Sequence, residues 1–266
     1  MSQFTKPTVS GAPYNVYVSS VRLTLEEKAI DYDLVPVDIF AAGGPPAEHV
    51  ARHPFGKIPA FEHDGFRLYE SGAITRYIDE AFAGVPLQPA DVRRRARMTQ
   101  IISILDSYAY RTLVWDIYVE RVARSATGSV SDEQKIAAAL PKAMVCLSAL
   151  AELMENGPWL TGSAISLADL HAAPMFAVFR VAPEGEHFLN RERRLADWWS
   201  RISSRPSFER TQVQPRHASG LPQNSPMTPF SAKPRAEVRQ TLATRDGGPP
   251  QEALHHTSPN KHNVGG

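Results

Sequence analysis

The sequence predicts an α/β domain followed by an all-α domain. Three observations lead to this fold class. Strand and helix patterns alternate in the first 83 residues, an Asp64-Gly65 pair marks a tight hairpin turn, and after residue 89 only helical periodicity remains. The 266 residues allow one large domain or two smaller ones. We expect domains at 1–83 and 91–210, joined by a linker at 84–90.

The first half is predicted to have the element order βαβ, a connection, and ββα. The predicted elements are a short strand near Thr5–Ser10, a helix from Val16 to about Ala29, a strand over 32–38, hairpin strands at Pro59–Phe61 and Phe66–Tyr69, and a helix from Ser71 to about Phe82. Pro36 favours an edge position for its strand, because proline cannot donate a hydrogen bond to a neighbouring strand. The hairpin is expected to be antiparallel.

The second half is predicted to be long helices separated by short breaks. They are a helix from Asp91 to about Arg124, one that Ser131 or Asp132 caps and Gly157-Pro158 ends, one from the Ser166 cap through Phe179, and one over about Arg191–Ser203. In the third of these, Ser166 and Asp169 have the spacing of a capping box with an acidic residue at its third position. We expect Asp169 to be a folding determinant and not a catalyst.

The last 56 residues, 211–266, have a different composition. They contain eight prolines, five glycines and a single aromatic residue, Phe230. Such a segment buries too little apolar surface to offset the entropy of ordering, so we predict that it is disordered. Its three clustered histidines, His255, His256 and His262, are interpreted as incidental and not as a metal site.

Charge and cysteine content exclude several function classes. The formal net charge is +1, which gives no general attraction to nucleic acid or to an anionic membrane. The single cysteine, Cys146, excludes catalysis by a protein dithiol and cannot supply a zinc-ligand set by itself. No signal peptide or uninterrupted apolar span of 18 residues is found. We expect a cytoplasmic protein without a metal, a nucleic-acid partner or a membrane partner.

Two motifs in the first half resemble the glutathione-binding half of the cytosolic glutathione transferases. The first is Pro-Phe-Gly-Lys-Ile-Pro-Ala-Phe at 54–61, and the second is Glu-Ser-Gly-Ala-Ile-Thr-Arg-Tyr-Ile at 70–78. The helix at 21–28 and the cap at 166–169 are similar to further elements of that family. The motifs most resemble the phi-type and related bacterial enzymes. The resemblance covers residues 4 to about 208, and it implies a thioredoxin-like domain, a helical bundle and a homodimer.

The resemblance also implies glutathione as the cosubstrate, and physical chemistry explains the residue types. Ser71 opens a helix, whose positive end suits the γ-glutamyl carboxylate. Glu70 is able to pair with the γ-glutamyl ammonium group. In the family the bond equivalent to Ile58-Pro59 is cis, and the main chain there pairs with the cysteinyl part of glutathione as an added strand. Lys57 lies near the expected position of the glycyl carboxylate.

The catalytic position departs from the family's most common pattern. The resemblance places Asn15 where phi-type enzymes carry serine. Nu-type bacterial enzymes resemble this chain in having asparagine or threonine at that position. An asparagine amide is a neutral donor to a thiolate, so we expect weaker thiol activation than a hydroxyl gives. Candidates for the pocket of a hydrophobic electrophile are three aromatic residues of the long helix: Tyr108, Trp115 and Tyr118. Tyr110 is a further candidate.

Three functions remain open at this point. The first is conjugation of the glutathione thiolate to electrophilic small molecules, a transfer of alkyl or aryl groups that serves detoxification. The second is reduction of disulfides or peroxides by glutathione at the same site, which Asn15 favours. The third is a noncatalytic binding protein with the same fold, because a fold does not fix a function.

Overall fold

The structure is a computed structural model that describes residues 6–154 and 156–211. The segment predicted to be disordered lies outside the described residues, except for Thr211, and so do the three clustered histidines. Thr211 is the last residue of a helix and is fully buried. The ordered part of the chain therefore extends at least one residue beyond the boundary predicted at 210.

A four-stranded sheet forms the centre of the N-terminal domain. Its strands are β1 (Thr8–Ser10), β2 (Asp33–Val35), β3 (Ala60–His63) and β4 (Phe66–Tyr69). Their order across the sheet is β2-β1-β3-β4, with β1 and β2 parallel and the other two pairings antiparallel. The predicted edge position of the second strand is confirmed. β1 and β2 are shorter than predicted, β3 extends two residues further than predicted, and β4 has its predicted bounds.

The hairpin between β3 and β4 is confirmed as antiparallel. Asp64 and Gly65 have φ angles of 50° and 77°. Two successive positive φ angles are typical of the type I′ turn, whose twist matches that of the flanking strands. This turn fixes the register in which Ala60 faces Tyr69.

Three helices complete the N-terminal domain: α1 (Val16–Glu27), α2 (Ala47–Val50) and α3 (Ser71–Ala81). Apolar residues of α1, α3 and the sheet form one buried core, which includes Val18, Val21, Phe61, Ile74 and Ile78. The short helix α2 lies where the sequence predicted only a loop. The fold of this half is thioredoxin-like, as the resemblance implied.

The second half is helical throughout its described residues. Its elements are α4 (Val92–Ile104), a π-helix (Leu105–Ala123), a single 3₁₀ turn (Ser125–Thr127), α5 (Glu133–Leu153), α6 (Leu167–Phe179), α7 (Pro183–Arg191), α8 (Arg193–Ser203) and α9 (Pro206–Thr211). The predicted last helix at about 191–203 is confirmed as α8, while α7 and α9 were not predicted. α7 begins with a proline at its first turn, a position where the missing N–H group costs nothing.

The predicted single helix at 91–124 changes its geometry at Leu105. From there the chain is π-helical, and the last turn shows the i→i−5 bond from the Arg124 N–H group to the Val119 carbonyl at 2.9 Å. Residues on one side of a π-helix recur every four or five positions instead of every three or four. The buried apolar residues follow this spacing: Leu105, Ala109, Leu113, Val114, Ile117, Tyr118 and Ala123.

The start of α6 is held by the fully buried carboxylate of Asp169. It accepts hydrogen bonds from the main-chain N–H groups of Leu160 and Ser166, both at 2.8 Å, and from the Trp198 indole at 2.9 Å. The Ser166 hydroxyl donates a fourth bond at 2.8 Å. The predicted capping box is confirmed, and Asp169 also connects α6 to α8 and to the loop before it.

One described helix, Glu133–Leu153, is long and apolar enough by its length and composition to cross a membrane. It contains Pro141, and its buried residues include Ile136, Leu147 and Leu150. These side chains belong to the core of the helical domain. The core helix of a soluble protein is able to have the same length and composition.

The two domains contact each other mainly along α1. Leu23 of α1 is fully buried in the core of the helical domain. At the other end of α1, Glu27 accepts hydrogen bonds from the Arg205 guanidinium at 2.6 Å and from the Ser207 hydroxyl. The orientation of α1 is therefore fixed by the helical domain as well as by the sheet.

Candidate functional site

The predicted site residues meet at one edge of the sheet. Ser10 at the end of β1 pairs with Ala60 at the start of β3, and Ala60 pairs in turn with Tyr69 at the end of β4. The chain segments that follow Ser10, precede Ala60 and follow Tyr69 therefore emerge side by side. They carry the predicted site residues Asn15, Lys57, Ile58, Pro59, Glu70 and Ser71.

Ser71 is the first residue of α3, and several hydrogen-bond donors around it are unpaired. The N–H groups of Ala73 and Ile74 bond to the Glu70 carbonyl, each at 3.0 Å. The Ser71 hydroxyl and the N–H groups of Ser71 and Gly72 have no hydrogen-bond partner within the described parts of the chain. Unpaired donors at a helix N-terminus are suited to a carboxylate.

Glu70 has a strained backbone. Its φ angle is 70°, in the left-handed region that a residue with a Cβ atom rarely occupies. Its side chain is exposed, and the carboxylate has no hydrogen-bond partner among residues 6–154 and 156–211. Backbone strain of this kind costs about 1–3 kcal/mol and is concentrated at functional sites. An unpaired carboxylate next to unpaired N–H donors suits a ligand that carries an ammonium group and a carboxylate on the same carbon atom.

The main chain before β3 is open to an extended ligand. The Ile58-Pro59 bond is cis, as the resemblance implied. The N–H and C=O groups of Ile58 bond to no other group in the described chain, and Ile58 lies outside the paired strands. Such a pair of main-chain groups is able to bind a peptide in the manner of an added strand.

Lys57 is exposed, and the loop that carries it is held by a buried histidine. The carbonyl of Lys57 accepts a hydrogen bond from Nε2 of His49 at 2.7 Å. His49 and His53 are 1% and 2% exposed, so neither is a surface residue. The His53 ring lies 4.8 Å from the Tyr69 ring, and burial lowers the pKa of His53. Both histidines support the loop that precedes the cis proline.

Asn15 is the N-cap of α1. Its Oδ1 atom accepts from the N–H groups of Tyr17 at 3.0 Å and Val18 at 3.1 Å. Two main-chain donors require an oxygen acceptor, so the orientation of the amide is fixed and the Nδ2 group points away from the helix. In the described chain Nδ2 donates to no protein atom. Asn15 therefore offers one amide donor at the positive end of α1.

The hydroxyl groups that follow Asn15 on α1 are already used within the protein. The Ser19 hydroxyl donates to the Pro13 carbonyl at 3.2 Å, and the Ser20 hydroxyl donates to the Val16 carbonyl at 3.0 Å. The Asp106 carboxylate of the π-helix acts on the Tyr17 hydroxyl through its charge. Burial and the Asp106 carboxylate raise the pKa of Tyr17, so this phenol stays neutral at physiological pH. Neither serine hydroxyl is set up to act on a ligand in place of Asn15.

The three aromatic residues predicted for the electrophile pocket do not share a surface. Tyr118 is 5% exposed and packs in the core of the helical domain. Tyr108 is 64% exposed. Trp115 is half-buried, and its ring centroid lies 6.4 Å from that of Tyr110. The π-helical spacing explains this result, because residues 108, 115 and 118 fall on one face only with α-helical geometry.

A different set of side chains lies on the face of the π-helix towards the N-terminal domain. Asp106, Tyr110 and Trp115 are separated by four and five positions, the π-helical repeat. The Tyr110 ring lies 4.6 Å from the Tyr17 ring, and the Glu70 charge contributes to the raised pKa of Tyr17. This face therefore borders the candidate site. The sequence did not single out Asp106, because a single acidic residue on a predicted helix is usually solvent-exposed.

Within residues 6–154 and 156–211, no three histidine, cysteine or acidic side chains are grouped so that they could hold a metal ion. The polar groups at the sheet edge are an anion site, a carboxylate, two main-chain groups and an amide donor. Together they suit a small zwitterionic peptide.

Comparisons with known proteins agree with this geometry. Residues 8–80 match the family model of the glutathione S-transferase N-terminal domain, and residues 105–206 match that of the C-terminal domain. A glutathione S-transferase of Arabidopsis thaliana is 28% identical over 192 residues, which cover 71% of this chain and 88% of the relative. A glutathione S-transferase from Hyoscyamus muticus is 28% identical over 195 residues, which cover 73% of this chain and 91% of the relative.

Solved structures give the same result. The crystal structure of a glutathione transferase from Populus trichocarpa superposes with a TM-score of 0.69 at 30% identity, covering 77% of this chain and 97% of that one. A glutathione S-transferase III in its apo form gives a TM-score of 0.70 at 25% identity, and the match covers 84% of this chain and 100% of that one. The described fold spans almost the full length of both.

Proposed function

Because the chain belongs to the glutathione S-transferase family, we propose that it conjugates glutathione to electrophilic small molecules, with Asn15 as the residue that stabilises the thiolate. The thiol loses its proton to solvent, the sulfur forms a bond to the electrophilic carbon, and the leaving group departs with its electron pair. No protein nucleophile is needed, because the nucleophile belongs to the cosubstrate.

The observation that carries this proposal is the row of unpaired polar groups at one sheet edge. Glutathione has a carboxylate and an ammonium on its γ-glutamyl carbon, which fit Ser71 and Glu70 respectively. Its cysteinyl main chain fits the unpaired groups of Ile58. With these two parts of glutathione bound, the cysteinyl thiol extends towards Asn15. This residue follows β1, the strand that neighbours β3. Lys57 is proposed to attract the glycyl carboxylate.

Replacing Asn15 with alanine is expected to raise the pKa of the bound thiol. A free thiol has a pKa of about 8.5, and loss of the amide donor should return the bound thiol to within about half a unit of that value. The measurement is a pH titration of the thiolate absorbance in the ultraviolet with glutathione bound. A bound thiol that ionises at the same pH in both proteins would remove Asn15 from the mechanism.

A matched variant separates the amide donor from the helix cap. Aspartate is as good an N-cap as asparagine, so Asn15→Asp keeps the bonds to Tyr17 and Val18 and the stability of α1. It replaces the Nδ2 donor with a negative charge. We expect this variant to unfold at the same temperature as wild type and to raise the thiol pKa more than alanine does.

Tyr110 and Trp115 are proposed as one wall of the electrophile pocket, in place of Tyr118. Trp115→Ala is expected to raise KM for an apolar electrophile about tenfold, because contact with a large aromatic ring contributes about 1.5 kcal/mol. The Kd of glutathione should change less than twofold. Val130→Ala, at a side chain 86% exposed, is the control for loss of apolar surface. Equal effects of both variants would contradict this assignment.

Reduction of disulfides by glutathione is the second candidate, and the neutral donor at position 15 favours it. The thiolate attacks one sulfur of the disulfide, which releases the other as a thiol, and a second glutathione then resolves the mixed disulfide. Two glutathione molecules supply the two electrons that reduce the disulfide. Rates with a small symmetric disulfide and with an aromatic halide, measured on the same preparation, decide between the two candidates. The homodimer that the resemblance implies and the cytoplasmic location expected from the sequence stay predictions.

A further inference from the structure

The two carboxylates of glutathione meet different surroundings in the proposed site. At the γ-glutamyl end, Ser71 is 7% exposed and begins α3, where several main-chain donors are unpaired. At the glycyl end, the proposed partner is the side chain of Lys57, which is exposed. A carboxylate that accepts several hydrogen bonds in a buried place is bound more tightly than one paired with an exposed cation.

The order of the strands indicates where the glycyl end lies. β1 and β2 are parallel, so both end at the site, and the Gly11 N–H group donates there to the Val35 carbonyl at 2.9 Å. The order across the sheet is β2-β1-β3-β4, and α3 follows β4. A peptide that is bound at Ser71 and crosses Ile58 therefore continues away from α3, towards the end of β2.

The chain that follows β2 also contacts the loop that carries Lys57. We call residues 36–48 the β2–α2 segment. A Cβ atom added at Gly56 would lie 3.0 Å from Cγ of Pro45, so these two residues are in direct contact. In the next turn of the chain, Nε2 of His49 donates to the Lys57 carbonyl at 2.7 Å. The β2–α2 segment therefore borders the main chain that is proposed to bind the cysteinyl part of the ligand.

The charge of the β2–α2 segment is negative. The segment includes Asp38 and Glu48, which are both exposed, and no lysine, arginine or histidine. The nearby His49 and His53 are 1% and 2% exposed, so neither presents its ring to solvent. A glycyl carboxylate is attracted here by Lys57 and repelled by two exposed carboxylates. These contributions are small and opposite in sign, so they largely cancel.

The β2–α2 segment also leaves room for a longer ligand. Ala41, Ala42 and Gly43 are exposed, and a Cβ atom added at Gly43 would have no heavy atom within 4 Å. A peptide that continues beyond its glycine therefore displaces no side chain at this position. We propose that the protein also accepts as cosubstrate glutathione whose glycyl carboxylate is masked as an amide, including amides with an alkylamine that extends the peptide.

This inference rests on the proposed function, because the amide uses the same site and the same thiol. Masking the glycyl carboxylate removes one negative charge and keeps the groups that bind at Ile58, Glu70 and Ser71. The sulfur attacks the electrophile in the same way, since the glycyl end takes no part in forming or breaking that bond. The expected result is a cosubstrate of nearly equal affinity and rate.

Two amides of glutathione, each lacking one carboxylate, test the inference. In the first the glycyl carboxylate is an amide, and we expect its Kd to lie within about threefold of that of glutathione. In the second the α-carboxylate of the γ-glutamyl residue is an amide, and we expect its Kd to rise at least about tenfold, because it loses its charge at Ser71. Isothermal titration calorimetry gives all three values. With one electrophile, kcat/KM for the glycyl amide should also lie within about threefold of that for glutathione.

The outcomes separate this inference from the proposed function. If glutathione itself does not bind, the proposed function fails, and the inference fails with it. If glutathione binds but the glycyl amide loses more than threefold in affinity or in kcat/KM, the inference is overturned and the proposed function stands. Equal losses from the two amides would also overturn it, because the inference requires that only the γ-glutamyl carboxylate is tightly bound.

A variant that adds a cation tests the position of the glycyl end. Gly43→Lys places an ammonium group on the β2–α2 segment without steric conflict at Cβ. We expect the ratio of the Kd of the glycyl amide to that of glutathione to rise about threefold, because only glutathione gains an ion pair. Val130→Lys, at a side chain 86% exposed in the helical domain, is the matched control and should leave this ratio unchanged. An unchanged ratio in Gly43→Lys, or an equal rise in both variants, would overturn the placement of the glycyl end.

Discussion

Asp169→Ala is expected to lower the free energy of unfolding by about 3–5 kcal/mol, because it removes the partner of four buried donors. The donors are the N–H groups of Leu160 and Ser166, the Ser166 hydroxyl and the Trp198 indole. They lie in a fully buried site that solvent does not reach. The loss should appear in chemical denaturation as a shift of the midpoint without a change of slope.

Two further variants check that the effect belongs to this network. Asp197→Ala removes a carboxylate that is 63% exposed on α8, and the free energy of unfolding should change by less than about 0.5 kcal/mol. Trp198→Phe combined with Asp169→Ala should cost less than the sum of the single variants, because both remove the same hydrogen bond. A loss below about 1 kcal/mol for Asp169→Ala would contradict the assigned role.

Ser71→Ala is expected to raise the Kd of glutathione by a factor of about 10 to 100. The variant removes a hydrogen bond to a charged carboxylate, which contributes about 1.5–3 kcal/mol. Isothermal titration calorimetry measures the change directly. Because Ser71 is proposed to hold the γ-glutamyl end, S-methylglutathione should lose affinity by the same factor as glutathione. An effect confined to the free thiol would place Ser71 near the sulfur instead.

Ser103→Ala is the control for loss of a hydroxyl group. Its hydroxyl donates to the Thr99 carbonyl at 2.9 Å on an exposed part of α4. We expect no change in glutathione affinity for this variant. A Ser71→Ala protein that binds glutathione as tightly as wild type would leave only the main-chain donors of α3 as the anion site.

The local elements of the N-terminal domain were predictable because they are set by residues close in sequence. The Asp64-Gly65 pair forms the predicted turn, since both residues adopt positive φ angles at low cost. Pro36 predicted the edge position of β2 for a similarly local reason. The positions of Glu70 and Ser71 at the start of α3 follow from the same kind of signal.

The grouping of aromatic residues on the long helix was predicted less well because it depends on a change of helix type. The hydrophobic pattern of 91–124 fits α-helical spacing, so the sequence grouped Tyr108, Trp115 and Tyr118. The i→i+5 bonding that begins at Leu105 turns Tyr118 into the core and brings Tyr110 to the face near α1. The contacts of this segment with α1, α5 and α6 are not encoded in any local pattern.

The sequence by itself determined the order of strands and helices, the turn, the caps and the motifs that identify a glutathione site. These features depend on the conformational preferences of neighbouring residues, which act before the chain folds. Only the tertiary structure decided that Asn15 presents an amide donor while the nearby serine hydroxyls are occupied, and that Asp106 bonds to His171. The hydrogen bond from Ser20 to the His171 carbonyl joins residues 151 positions apart, and it exists only once the helical domain has packed against α1.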